Sequence, residues 1–99
     1  SAEEFARQLL DSVVAPAGSG RQTQLLSASR SEQHGLVTYR LEFCVQGTDS
    51  KGGTFSAHNL AAIAVKDDQL YSMTVTVPQD RWGADGEQAR RIADSFQVL

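Results

Sequence analysis

The sequence is short of several residue types. It holds one cysteine, two lysines, one tryptophan, one methionine and two prolines in 99 residues. A single thiol, Cys44, excludes an internal disulfide and any multi-cysteine metal site. No apolar run approaches the roughly 20 residues that a membrane-spanning helix needs. No basic stretch followed by an apolar one is visible, so no signal or transit peptide is read. Nine Lys and Arg against twelve Asp and Glu leave a net charge of −3 and a pI near 5.2. That balance excludes the basic stripe of a nucleic-acid binder. Arg90 and Arg91 are the only adjacent basic pair, and their segment also carries Glu87 and Asp94.

What remains is ordinary for one globular domain: 40% hydrophobic and 21% charged residues. Ser1-Ala2-Glu3-Glu4 reads as a capping box, in which the serine hydroxyl accepts an amide of the first turn. Phe5, Leu9 and Val13 follow at helical spacing, so residues 2–14 are predicted as an amphipathic helix. Pro16, Gly18 and Gly20 end it. Residues 22–31 are predicted as a strand centred on Leu25 and Leu26, and Gln33-His34-Gly35 as a turn. Residues 36–46 are the clearest strand, because Val37, Tyr39, Leu41, Phe43 and Val45 alternate with Thr38, Arg40, Glu42, Cys44 and Gln46. Gly47 to Gly53 is a loop. Its spacing is that of no phosphate-binding motif.

Residues 54–66 and 70–77 complete the strands, joined by a tight turn at Lys66-Asp67-Asp68-Gln69. A turn that short allows only a hairpin. Residues 85–96 are predicted as a second helix, capped by Asp85 and preceded by Trp82, with Ala89, Ile92, Ala93 and Phe96 as its apolar stripe. The expected class is α+β in the order α-β-β-β-β-α: an antiparallel sheet, in chain order, flanked by helices. Phe5, Leu9, Leu41, Phe43, Ile63, Val75, Ile92 and Phe96 are the expected buried set.

Taken on residue chemistry alone, the candidate sites are few. Cys44 with His34 or His58 would be a thiol nucleophile only if the fold placed a base beside the sulfur and a third group to orient it. Asp67-Asp68 falls short of the six to eight oxygens that calcium takes and reads as a solvated turn. Trp82 beside Arg81 reads as a structural anchor.

Five segments, in one order, resemble the PsbP (oxygen-evolving enhancer) family. They are Ser1-Ala2-Glu3-Glu4-Phe5; Tyr39-Arg40-Leu41-Glu42; the His58-to-Val65 strand; Asp67-Asp68-Gln69-Leu70-Tyr71; and Arg81-Trp82 with the Ala93-Asp94-Ser95-Phe96-Gln97-Val98 ending. The resemblance implies a sheet between helices, in a domain whose additional N-terminal strands precede Ser1. It implies a non-catalytic, extrinsic protein of the chloroplast thylakoid lumen. Its partners would be photosystem subunits on the lumenal side, and its membrane association peripheral. In the family, the strand histidine is linked with divalent-metal contact together with an acidic residue before the Arg-Trp pair. Carried over, this names His58 and Asp80 as ligands for weak Zn, Mn or Ca association, although Gln79 occupies the best-matching acidic position. With only Lys51 and Lys66, the chain is more similar to a PsbP-like or PsbP-domain paralogue than to the lysine-rich photosystem II subunit. A Ran-GTPase-binding family of the same fold is the alternative, and a Cys44 thiol hydrolase is the enzymatic one.

Overall fold

The computed structural model describes residues 1–33 and 35–98. His34, and the turn expected around it, lies outside the described residues. Helix α1 (Ala2–Leu9) opens on Ser1, whose hydroxyl accepts from the Glu4 amide at 3.2 Å. The helix then widens into a π segment, Leu10–Val14. That wider turn corrects the expected stripe: Val13 is turned out to solvent, 67% exposed, while Val14 packs on the core.

Four strands follow: β1 (Gln22–Gln33), β2 (Leu36–Thr48), β3 (Thr54–Lys66) and β4 (Gln69–Pro78). They form one antiparallel sheet in the order β1-β2-β3-β4, as the short connections require. The register of β1 against β2 shifts between Leu25 and Ser27. Leu25 packs on the core and Leu26 is exposed, so the strand centre read from the sequence is split by a bulge.

Helix α2 (Trp82–Asp94) follows a 3-10 turn, Gln79–Arg81. It starts three residues before the expected cap. Trp82 is therefore its first residue, and Asp85 lies in its first turn, where its carboxylate accepts from Arg81 Nε at 3.1 Å.

The two helices lie on opposite faces of the sheet. Ala6 and Leu10 pack with Leu41, Phe43, Val45, Ala61 and Ile63 on one face. Ala89 and Ala93 pack with Leu60 and Val77 on the other, joined by Met73, Val75 and Trp82. Of the expected buried set, Leu41, Phe43 and Ile63 are buried, while Phe5, Leu9, Val75 and Phe96 are half-buried. Ile92 is a correction, since it is 45% exposed. Residues 89 and 93 lie one turn apart on the sheet-facing side of α2, and Ile92 is rotated off that side by about 100° from Ala93.

The β3–β4 hairpin turns on Asp67 and Asp68, both at positive φ (52° and 62°). Two consecutive left-handed residues make the primed turn that suits strand twist, and glycine or asparagine takes it with less strain than aspartate. Asp68→Gly is expected to raise stability by up to about 1 kcal/mol, read as a higher melting temperature. An unchanged or lower value would show that the Asp68 side chain contributes more than its backbone strain costs.

Candidate functional site

The even-numbered residues of β3 pair with the odd-numbered residues of β4 on the α2 face: His58 with Val77, Leu60 with Val75, Ala62 with Met73. Ala62 and Ala64 of this row are buried, and the larger His58 meets the start of α2. There its imidazole stacks on the Trp82 indole, with ring centroids 3.6 Å apart and planes 10° apart. His58 is 4% exposed.

Two residues of β2 flank the ring. Cys44 is the direct cross-strand partner of His58 and Glu42 stands two residues away on the same face. Glu42 Oε2 lies 2.7 Å from His58 Nε2. Its two oxygens also accept from Arg90 of α2, at 2.7 Å from Nη1 and 3.1 Å from Nη2. The guanidinium in turn lies 5.2 Å from the Trp82 ring centroid. Glu42, His58, Trp82 and Arg90 therefore close a loop that ties α2 to the sheet. The bidentate Arg90 contact, aided by His58 and opposed by burial, holds the Glu42 carboxyl below its ordinary range. Arg40 adds a second tie: its Nη1 donates to the Ala93 carbonyl at 3.0 Å, near the end of α2.

The tautomer of His58 follows from these charges. An ionised carboxylate can only accept, so in the neutral ring Nε2 carries the proton and Nδ1 presents its lone pair. Nδ1 lies 3.5 Å from Cys44 Sγ, and the thiol also reaches Gln79 Oε1 at 3.3 Å. Burial, and next the charge of Glu42, push the Cys44 thiol up.

Of the residues named from sequence, the fold brings together Cys44 and His58, with Trp82 stacked on the ring and Gln79 on the thiol. Asp80 sits exposed in the 3-10 turn. Both nitrogens of His58 already face protein partners, and among the described residues no group of three or more His, Cys, Asp and Glu side chains is arranged to hold a metal ion. These residues do not fit a closed metal centre. Sequence reasoning missed Glu42 and Arg90 as site residues. They lie 48 positions apart, and Glu42 falls among the polar residues that alternate with the bulky row of β2, so no local signal marked either residue.

Gly86, one turn after Trp82, lets the indole lie flat: a Cβ there would come within 3.1 Å of the ring. Gly86→Leu is expected to push Trp82 off His58 and to cost about 1 kcal/mol or more by overpacking. Trp82 is the only tryptophan, so its emission reads the stack directly. A red shift with a lowered melting temperature is expected, and emission identical to wild type would show that the stack survives.

The sequence matches the PsbP family over residues 1–98. It is similar to CyanoP of Thermosynechococcus vestitus (strain NIES-2133 / IAM M-273 / BP-1), at 33% identity over 98 residues, covering 99% of this chain and 54% of that protein. The fold is similar to the solution structure of cyanobacterial PsbP (CyanoP) from Synechocystis sp. PCC 6803, with a TM-score of 0.76 and 24% identity over 100% of this chain and 56% of that one. The chain thus spans about half the length of these relatives. The family match runs across nearly the whole sequence: the chain belongs to the PsbP family.

Proposed function

We propose that this chain is a non-catalytic binding domain of an extrinsic thylakoid-lumen protein that attaches to, or helps assemble, a photosystem II complex in the chloroplast. The observation that carries the reading is the family match across residues 1–98. Two structural features support it. Among the described residues, no buried side-chain nitrogen or oxygen lacks a hydrogen-bond partner, so the polar cluster at His58 reads as a tie between α2 and the sheet. No described helix is long and apolar enough to cross a membrane, which suits peripheral attachment.

Attachment of this kind is salt-sensitive, because exposed charges are screened within about 10 Å at ordinary ionic strength. The full-length protein is expected to sediment with thylakoids, to wash off in high salt and to co-purify with photosystem II subunits. A protein found wholly outside the thylakoid fraction would overturn the reading. Recovery of a Ran-type GTPase with no photosynthetic partner would favour a protein-interaction role elsewhere.

The weak divalent-ion association implied for His58 and Asp80 is carried as part of this proposal. An ion on the imidazole has to displace Glu42 or Cys44, so weak binding at most is expected. Titration calorimetry with zinc on wild type and His58→Ala decides it: heat lost in the variant supports the site, and equal heats remove His58 from it.

A further inference from the structure

We propose that Cys44 is a covalent capture site for small, uncharged α,β-unsaturated carbonyl compounds, with His58 taking the thiol proton. Three observations carry this. First, Cys44 Sγ, His58 Nδ1 and Glu42 stand in the order nucleophile, base and orienting carboxylate, at 3.5 Å and 2.7 Å. Second, Arg90 keeps Glu42 ionised, which fixes the proton on Nε2 and leaves Nδ1 free to accept. Third, the thiol opens on a depression of about 120 Å³ lined by Gln22, Thr23, Gln24, Cys44, Gln46 and Ser56. No charged side chain lines it, and its amides and hydroxyls suit a neutral carbonyl ligand.

Burial and the nearby Glu42 disfavour a free thiolate, so the reaction depends on transfer to His58. The Sγ proton passes to Nδ1 as the Sγ–C bond forms at the β-carbon of the electrophile. The π pair of the alkene moves to the α-carbon, which then takes the proton back from Nδ1. The product is a saturated thioether, with His58 neutral again and nothing released. Glu42 and Arg90 hold the transient imidazolium. Each chain takes one equivalent, without turnover, so the inference is independent of the photosystem reading.

N-ethylmaleimide is a suitable probe, with intact mass as the readout. At neutral pH the folded chain is expected to gain one equivalent at least as fast as the same chain unfolded in urea. Glu42→Gln, checked for folding by circular dichroism, is expected to slow the addition about tenfold or more, and Cys44→Ser to abolish it. Labelling of the folded chain ten times slower than the unfolded one, or equal rates in wild type and Glu42→Gln, would overturn the proposal. The comparison of folded with unfolded wild type needs no variant, so it stands even where a substitution unfolds the domain.

Discussion

Phe43→Ala is expected to lower stability by about 3–5 kcal/mol, the range for a buried phenylalanine, and the melting temperature by about 12 °C or more in a domain of this size. Phe43 is 4% exposed and sits in the cluster beneath α1 with Leu41, Val45, Ile63 and Leu10. It pairs with Leu25 of β1 and with Asn59 of β3. A central strand on a four-stranded sheet has no slack to refill such a cavity, so both the transfer and the cavity contributions apply. A chain this short starts with a net stability of only about 5–15 kcal/mol, so the variant should lose a large share of it. The measurement is a thermal or urea melt followed by circular dichroism. A melt superimposable on wild type would show that Phe43 does not hold α1 against the sheet.

Glu42→Gln is expected to cost about 1.5–3 kcal/mol at neutral pH, the range for hydrogen bonds to a charged group. The lower half of that range is favoured, because Arg90 is 52% exposed and its charge is screened by solvent. The cost depends on pH with a definite sign. The Glu42 carboxyl is held below its ordinary range, so its contribution is complete above the unfolded value of about 4.3 and is lost as pH falls from there through the depressed folded value. Wild type and Glu42→Gln are therefore expected to differ most near neutrality and to converge in acid. Melts across that range test it. A gap that stays constant into acid would mean that the charge of Glu42 contributes nothing and only its shape matters.

Much of the framework was legible in the residues alone. The capping box at Ser1 and the alternation in residues 36–46 are local signals, since helix and strand periods act over a few neighbours. The polar turn at Asp67-Asp68 is local as well, and it forces its two strands to pair. Antiparallel order then follows from connection length. The same local reasoning failed where neighbours do not decide. The π segment turned Val13 outward, α2 began at Trp82 because the chain enters it through a 3-10 turn, and Ile92 fell off the sheet-facing side.

Tertiary structure alone decided which way each bulky row faces. β2 turns Leu41, Phe43 and Val45 toward α1, while β4 turns Val75 and Val77 toward α2. Alternation within a strand has period two and carries no sign, so its direction is set by the register against the next strand. That register places Cys44 opposite His58 and Glu42 one step along. The helix on that face then brings in Trp82 and Arg90. Sequence by itself determined the strands, their order and the family they belong to. The joining of Glu42 to a guanidinium 48 positions away, and the burial of a histidine between an indole and a thiol, exist only once two helices have closed on opposite faces of one sheet.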